Sequence, residues 1–216
     1  MRNLLNLSDA SKNQTIIGLL RHGKTIWNEA KRIQGRENSP LSDNGIRQVR
    51  QWGEFLRNVS IDRIISSDLG RVKETVAILQ GYVQNVPVEY NSLLREQFWG
   101  KWEGKTFAEL HANCGDELAK QVAAGWDFRP PGGESRLEVL QRALPVVENI
   151  SSRFPGEQIL LVSHEGIVKT ILYHLAGRAF LPNEKKLIEK RQLHLIVGEN
   201  KKLAPGSLNL FPENKR

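Results

Sequence analysis

Short apolar runs, rich in β-branched residues and separated by turn-forming residues, recur along the chain. Runs of this kind are typical of strands in a buried β-sheet. The pattern predicts strands at residues 14–22, 61–68, 86–91, 157–164 and 193–197. The first and fourth of these runs are apolar without alternation, which is typical of strands that are covered on both faces.

Two longer segments repeat their apolar residues at every third or fourth position instead. These segments, residues 43–59 and 69–83, would each place apolar side chains on one face of a helix. The pair Ser135 and Glu138 has the spacing of a capping box and predicts the start of another helix. Pro145 is expected to kink or divide that helix, because proline lacks the backbone N–H that a helix interior needs.

A last helix is predicted at about residues 166–176, so that strands and helices alternate along the chain. This alternation predicts an α/β fold: a three-layer α/β/α sandwich whose central sheet is mostly parallel and covered by helices on both faces. With 216 residues, the chain is expected to form a single domain over 1–216. Residues 98–134, rich in Trp, Gly and Pro, are expected to form a helical or loop insertion beside the functional site.

Cysteine content and apolar segments suggest where the protein works. Cys114 is the only cysteine, so no intrachain disulfide is possible and a reducing compartment is expected. Asn3, Asn6 and Asp9 interrupt the apolar residues near the start, unlike a secretory signal. No apolar run approaches the length of about 20 residues that a membrane span needs. A cytoplasmic protein without a membrane partner is therefore predicted.

The formal net charge of +7 raises the possibility of nucleic-acid binding. The basic residues are scattered, however, and near the end of the chain they alternate with Glu184, Glu189 and Glu199. No recognised nucleic-acid-binding motif accompanies them. The charge therefore predicts a solvated surface, and no nucleic-acid partner is expected.

Polar residues follow the apolar strands at the edge where α/β sheets bind their ligands. The first strand ends at Arg21, His22 and Gly23, and Gly23 would allow a sharp turn. Arg71 lies in the first turn of the helix after the second strand, and His164 ends the fourth strand. Guanidinium groups match the paired oxygens of phosphate, so these residues predict a phosphate-binding site.

The histidine at this site suggests nucleophilic catalysis. Neutral imidazole is a nucleophile, and a covalent intermediate divides a difficult phosphoryl transfer into two steps. The chain contains neither a serine nucleophile elbow nor a P-loop lysine. His111, Cys114 and Asp116 are not followed by a second half of a metal-ligand set, so no metal is expected. His174 and His194 have apolar neighbours and are expected to be ordinary packing or surface residues.

Six blocks in order carry a resemblance to a known family: "LLRHGKTIWN", "RIQGRENSPLSDNGIRQ", "SSDLGRVKET", "LLREQFWGKWEG", "PPGGES" and "LVSHEGIVK". Over about residues 15–180 the chain resembles the histidine phosphatase superfamily, also called phosphoglycerate mutase-like. The resemblance implies a phosphohistidine intermediate on His22, with no cofactor and no metal.

The resemblance also implies roles for the other site residues. Arg21, Arg71 and His164 correspond to phosphate-binding positions, and a protonated His164 would add positive charge in the transition state. Asn28 corresponds to an asparagine that contacts the phosphoryl group. Glu96 corresponds to the proton donor for the leaving oxygen, which later accepts a proton from water.

Three residues depart from the family pattern. Glu165 stands where glycine is commoner, and its carboxylate would repel phosphate if it faced the site. We therefore expect Glu165 to turn away or to pair with a basic residue. Lys24 replaces a usual glutamate and Asn38 stands where aspartate is frequent, and both are expected to tune substrate choice.

The insertion bears on which reaction the protein catalyses. Mutases of the family have a longer insertion with a pair of arginines for the substrate carboxylate, whereas this chain has Ala123, Ala124 and Arg129 there. A phosphatase acting on a small-molecule phosphate ester is therefore predicted. A phosphoglycerate mutase and a non-catalytic phosphate-binding regulator are the alternatives. Dimers are common in similar proteins, and a homodimer is compatible with the sequence.

The aromatic residues of the insertion have two interpretations. They could form an apolar wall for a ring-bearing substrate, or they could pack the insertion onto the sheet. The residues concerned are Phe98, Trp99, Trp102, Trp126 and Phe128.

Overall fold

The structure is a computed structural model that describes residues 13–83 and 86–210. Its strands are β1 (Thr15–Arg21), β2 (Arg63–Ser66), β3 (Val88–Tyr90), β4 (Gln158–Ser163), β5 (His194–Glu199) and β6 (Lys202–Pro205). They form a six-stranded sheet in the order β3-β2-β4-β1-β5-β6. The first four strands in this order are parallel, β5 is antiparallel to β1, and β6 is antiparallel to β5.

The helices are α1 (Ile26–Glu29), α2 (Asp43–Leu56), α3 (Gly70–Gln80), α4 (Phe107–Ala123), α5 (Arg136–Arg153) and α6 (Glu165–Leu175). Apolar residues of α2 and α3 pack on one face of the sheet, and those of α5 and α6 pack on the other. The side chains of β1 contribute to both faces: Leu20 belongs to the cluster with α2 and α3, whereas Ile17 and Leu19 belong to the cluster with α5 and α6. The predicted three-layer α/β fold with a mostly parallel sheet is confirmed.

The register between β1 and β4 brings the site together. Arg21 lies opposite Ser163 in this parallel pair, so that His22 and His164 follow neighbouring strands at the same edge. The His22 N–H donates to the Ser163 carbonyl oxygen over 3.0 Å. The strand ends therefore fix the positions of the two histidines relative to each other.

The insertion packs around a third apolar cluster, separate from those on the sheet. Its buried members are Ile33, Trp102, Leu110, Leu118 and Phe128. Helix α4 provides two of them, although Cys114 has φ −152° and ψ 43° and interrupts its helical geometry. The insertion predicted at about residues 98–134 is thus largely helical.

Of the two effects expected for Pro145, a kink or a division of its helix, division does not occur, because α5 runs without a break from Arg136 to Arg153. Pro145 and Gln141, whose carbonyl loses its helical partner, both lie on the exposed side. Water can satisfy that carbonyl, while Ala143 and Val147 pack against the sheet on either side of the proline.

Strand β6 was not predicted, because this edge strand has little apolar character. None of the helices within the described ranges has the length and apolar character needed to cross a bilayer.

Candidate active site

His22 is buried directly after β1, and its hydrogen bonds define its tautomer. Nδ1 lies 2.7 Å from the carbonyl oxygen of Gly23, which can only accept, so Nδ1 has the proton. Nε2 accepts from Nε of Arg71 over 3.2 Å. Burial, followed by the charges of Arg21 and Arg71, holds the pKa of His22 well below its usual value of 6.5. The imidazole is therefore neutral, with the lone pair of Nε2 directed to the Arg71 guanidinium.

Gly23 is needed because helix α2 approaches the backbone closely after β1. A Cβ atom on Gly23 would lie 2.6 Å from Cγ2 of Val49 and 3.0 Å from the Gly45 carbonyl oxygen. The Gly23 N–H donates to Oγ1 of Thr75 in α3 over 3.1 Å. This N–H is thus occupied within the protein, and Gly23 acts by permitting the turn.

Arg71 is buried at the start of α3 and is fixed by several acceptors. Its Nη1 donates to the Glu37 carbonyl oxygen over 2.8 Å, and its Nη2 to that of Gly35 over 2.7 Å. Nη2 also donates to Nδ1 of His164 over 3.1 Å. Burial lowers the pKa of Arg71 to about 10, which leaves the guanidinium charged at neutral pH.

The ring of His164 contacts the guanidinium of Arg71. Its Nδ1 accepts from Arg71 and its Nε2 lies 2.9 Å from Oγ of Ser67, to which it donates. Burial and the charge of Arg71 hold the pKa of His164 well below 6.5. His164 is therefore neutral in this arrangement, so the condition for its adding positive charge is not met, and the neutral ring positions Arg71.

Arg21 and Asn28 lie on the other side of His22. The Arg21 guanidinium pairs with Glu165, and its Nη2 is 3.4 Å from Oδ1 of Asn28. Asn28 forms a capping box with Thr25 at the start of α1, with N–H to oxygen distances of 3.1 and 3.2 Å. The capping box fixes Asn28 next to Arg21 at the cavity wall.

Glu96 holds its carboxylate at the start of α6. One oxygen accepts from the Gln97 N–H over 2.9 Å and the other from the Gly166 N–H over 3.2 Å. Burial raises the pKa of Glu96 above its usual value, although these two hydrogen bonds oppose the shift. A carboxyl group with a raised pKa suits the proton transfer that the resemblance implied.

Gly166 is a site residue that the sequence analysis missed. A Cβ atom there would lie 2.2 Å from Oε1 of Glu96, so only glycine lets the carboxylate reach this backbone N–H. The signal was the glycine two residues after His164, at the start of a helix that follows a buried strand.

A cavity of about 920 Å³ opens beside these residues, and Arg21, His22, Asn28, Arg71 and Glu96 all line it. Of the five aromatic residues considered for an apolar wall, Trp99 is at the cavity. Trp102 and Phe128 are buried in the core of the insertion instead, so the packing interpretation is correct for them. The ring centroids of Trp126 and Phe180 lie 4.8 Å apart, and Cζ of Arg36 lies 5.5 Å from the ring centroid of Phe98.

The remaining cavity wall differs from what the sequence suggested. Phe107 and Phe180 provide apolar surface that was not foreseen. Basic side chains also line the wall: Lys24, Lys31, Arg32, Arg136, Lys169, Lys190 and Arg191. The cavity is therefore strongly cationic well beyond Arg21 and Arg71.

The three departures from the family pattern have clear contacts. Glu165 pairs with Arg21 and lies 4.0 Å from Nζ of Lys190, which confirms that it pairs with basic residues, although it also lines the cavity. Lys24 Nζ lies 3.5 Å from Glu29. Asn38 accepts from the backbone N–H of Arg71 over 3.1 Å and so helps to fix the start of α3.

The other histidines lie outside the site. His194 is buried, accepts from the Asn209 N–H over 3.1 Å, and has a pKa lowered to about 4 by burial. His174 is exposed and lies against Trp126. Within residues 13–83 and 86–210, no three His, Cys, Asp or Glu side chains are grouped to hold a metal ion.

Comparison with known proteins agrees with this geometry. The model of the "Histidine phosphatase superfamily (branch 1)" matches residues 17–197. A relative named "probable phosphoglycerate mutase GpmB" from Salmonella choleraesuis (strain SC-B67) is 38% identical over 146 residues, or 68% of this chain and 67% of the relative.

Solved structures are similar over nearly the whole chain. YhfR of Bacillus stearothermophilus superposes with a TM-score of 0.83 at 29% identity, covering 91% of this chain and 98% of its own. A mycobacterial glucosyl-3-phosphoglycerate phosphatase, solved with VO3, superposes with a TM-score of 0.76 at 29% identity over 92% and 100%. On its matched sequence, fold and histidine site, the chain belongs to the histidine phosphatase superfamily.

Proposed function

We propose that the protein is a metal-independent phosphatase that hydrolyses small-molecule phosphate monoesters through a phosphohistidine on His22. The observation that supports this most strongly is the tautomer of His22, which directs an unprotonated Nε2 to the guanidinium of Arg71 beside the cavity. A phosphoryl group bound by Arg71 would have its phosphorus within reach of that lone pair.

The first step forms the bond from Nε2 to phosphorus and breaks the bond from phosphorus to the ester oxygen. The protonated carboxyl of Glu96 gives its proton to the departing oxygen. Arg21 and Arg71 hold the phosphoryl oxygens, on which negative charge lies throughout the transfer. The hydrogen bond between Arg71 Nε and His22 Nε2 is exchanged for one to the substrate.

In the second step the Glu96 carboxylate takes a proton from a water molecule, whose oxygen attacks phosphorus. The bond from phosphorus to Nε2 breaks, and inorganic phosphate and neutral His22 are formed. Glu96 alternates between acid and base, for which the raised pKa from its burial is suited.

The insertion brings no arginine pair to the cavity, which favours hydrolysis over transfer; the cations Arg136 and Lys169 of the cavity wall belong to α5 and α6 instead. Arg129 of the insertion donates to Glu138 over 2.6 Å on the surface and is not among the cavity residues. The relative named as a probable phosphoglycerate mutase keeps phosphoryl transfer as the second candidate. A non-catalytic regulator is less well supported, because binding alone would need neither the His22 tautomer nor the Glu96 carboxyl.

The proposal includes the protein's surroundings. A small-molecule ester is the expected partner, rather than nucleic acid or a membrane, and the single Cys114 is compatible with the cytoplasm. The proposal also includes a homodimer, because dimers are common among similar proteins.

The test measures phosphate release from p-nitrophenyl phosphate and a panel of alkyl phosphates in EDTA, for the wild type and His22→Ala. We expect turnover that survives chelation and is lost in His22→Ala, and a phosphoenzyme that is stable in alkali in the wild type alone. His174→Asn serves as the matched control outside the cavity.

Two results would contradict hydrolysis. Interconversion of 2- and 3-phosphoglycerate with a bisphosphoglycerate primer, at rates far above phosphate release, would identify a mutase. Tight phosphate binding with no turnover of any ester would identify a binding protein.

A further inference from the structure

Two of the cations that line the cavity lack a carboxylate partner although they are partly buried. Lys169 on α6 and Arg136 at the start of α5 both contact the ring of Phe180, at 5.1 and 4.6 Å from its centroid. Desolvated cations of this kind are costly unless an anion compensates them.

Lys169 has its ammonium group available. Within the described ranges, no carboxylate lies within 4.0 Å of its Nζ and no acceptor hydrogen bonds to it; Nζ instead lies 5.0 Å from the ring centroid of Tyr173. Burial lowers the pKa of Lys169, and the nearby charge of Arg136 lowers it further. Glu165 opposes this shift from a greater distance, but its oxygens face Arg21 and Lys190.

Arg136 has free donors as well. Its Nη1 donates to the Gly125 carbonyl oxygen over 2.9 Å, and no described residue accepts a hydrogen bond from its Nε or Nη2. Its guanidinium packs between the rings of Phe128 and Phe180, which fixes its plane. Burial lowers the pKa of Arg136 to about 10, so it remains charged at neutral pH.

Apart from Arg71, the other cations of the cavity wall do not combine partial burial with the lack of a carboxylate partner. Arg32 and Lys24 have carboxylate partners in Glu109 and Glu29. Lys31 and Arg191 are exposed, so solvent compensates their charge. Arg71, by contrast, is also buried without a paired carboxylate, and it is the arginine of the proposed phosphate site.

Lys169 lies on the same helix as Gly166, so the distance between Lys169 and the Glu96 carboxylate site is set by α6. Gly166, which binds Glu96, and Lys169 lie on the same stripe of α6 and line the same cavity. Three residues of helix correspond to about 4.5 Å along its axis. A substrate that places its ester oxygen at Glu96 would therefore extend its far end toward Lys169 and Arg136.

We infer that Lys169 and Arg136, flanking Phe180, form a second anion site that binds a carboxylate or a second phosphate at the far end of the substrate. The inference deepens the proposed function, on which it rests, by making the preferred substrate a compact phosphate ester with a further anionic group. The guanidinium of Arg136 supplies donors in a fixed plane and the ammonium of Lys169 supplies flexible ones, and together they suit either a carboxylate or a phosphate.

Binding is measured first, because it does not require turnover. Calorimetry compares methylphosphonate with phosphonoacetate and 3-phosphonopropionate, which add a carboxylate, and with methylenebisphosphonate, which adds a phosphonate. We expect at least one of the doubly anionic probes to bind about tenfold more tightly than methylphosphonate, as one charge-assisted contact implies. The two series distinguish a carboxylate from a second phosphate.

Variants then assign that preference to the site. Lys169→Met is expected to abolish most of the tenfold preference, and Lys169→Arg to retain it. Lys73→Met is the matched control, since Lys73 also lies over a tyrosine ring, at 5.3 Å from that of Tyr90, but outside the cavity. Arg136→Lys tests the second residue without removing its charge and should weaken the preference less than Lys169→Met.

Equal affinity for all four probes in the wild type, or a preference that survives Lys169→Met, would overturn the inference. Absence of turnover with an intact binding preference would overturn the proposed hydrolysis and leave the second anion site standing. Turnover of esters without a binding preference for the doubly anionic probes would support the proposed hydrolysis and overturn the second anion site.

Discussion

The two ends of the cavity are built in different ways. At the end where we propose that phosphate binds, the phosphate end, Arg21 is the last residue of β1, His22 follows it and His164 follows the parallel neighbour β4, so the sheet register fixes them. At the far end, Arg136 and Lys169 come from two helices and meet through Phe180, which belongs to the segment after α6. The phosphate end is held by backbone pairing, and the far end by side-chain packing.

This difference has a chemical consequence. Groups that react with phosphorus need positions held to fractions of an ångström, which strand ends and buried hydrogen bonds provide. Groups that select a substrate tolerate looser positions, and helix surfaces can vary without disturbing the sheet. We therefore expect changes at the phosphate end to lower kcat strongly, and changes at the far end to alter KM and specificity.

The largest effect after loss of His22 is expected for Arg71→Met. The substitution removes the guanidinium that contacts both histidines and leaves the carbonyl oxygens of Gly35 and Glu37 without their donor. We expect kcat/KM for phosphate esters to fall by about a thousandfold or more, in the range of a lost electrostatic stabiliser.

Arg57→Met, at an exposed arginine on the surface, is the control for Arg71→Met. Thermal unfolding of both variants separates a loss of structure from a loss of chemistry. A folded Arg71→Met protein with nearly normal kcat/KM would remove Arg71 from the phosphate site.

Glu96→Gln should produce the next largest effect, and its size should depend on the leaving group. An alkyl phosphate needs a proton on the departing oxygen, so its kcat should fall by about a hundredfold to ten-thousandfold. p-Nitrophenolate leaves without one, so the first step with p-nitrophenyl phosphate should be less affected. Rapid-quench measurement of phosphoenzyme formation compares the two substrates, and equal losses would contradict a proton-donor role.

The pH profile follows from the same two residues. Because the pKa of Glu96 is raised, the protonated donor persists toward neutral pH, and kcat/KM for alkyl esters should fall as the pH rises through that value. Because the pKa of His22 is lowered, the nucleophile stays neutral as the pH falls, until the pH passes that value. We expect a maximum on the acid side of neutrality, whose alkaline limb is lost in Glu96→Gln.

Gly166→Ala tests how closely the phosphate end is fitted. The new methyl group would lie 2.2 Å from Oε1 of Glu96 and displace the carboxylate from the Gly166 N–H. We expect kcat to fall by about tenfold to a hundredfold with KM changed little, as for a misplaced catalytic group. In Gly115→Ala, where nothing lies within 4 Å of the added atom, kcat should be unchanged. Equal kcat in the two variants would show that Glu96 tolerates displacement.

The contrast between the two ends also explains what could be predicted from the sequence. The strands ending at His22 and His164 were found because a buried strand followed by a polar residue is a local signal. Gly166 was missed because its role depends on Glu96, which is 70 positions away. Lys169 and Phe180 were missed for the same reason, since apolar periodicity in α6 says nothing of which residues face a cavity lined by several distant segments of the chain.

The assignments in the insertion show the limit of composition as evidence. Its aromatic content was compatible with both a substrate wall and a packed core, and the structure shows that Trp102 and Phe128 pack with Leu110 and Leu118 in the core around α4. Pro145 shows the complementary case, because burial of residues on either side of it outweighed a local signal for helix interruption.

The smallest effect is expected at the boundary between the two ends, where Glu165 pairs with Arg21 and faces the cavity. A phosphate dianion must compete with this carboxylate for the guanidinium and experiences its repulsion. Glu165→Gln should therefore tighten binding of inorganic phosphate and lower KM by about threefold to tenfold, a modest change because the pair is partly exposed and screened by solvent. The gain should shrink as salt is added, whereas Glu189→Gln, at an exposed pair with Lys186, should leave phosphate inhibition unchanged. If Glu165→Gln weakened phosphate binding instead, the carboxylate would be orienting Arg21 toward the ligand, and Glu165 would belong to the phosphate end of the cavity rather than to the boundary between the two ends.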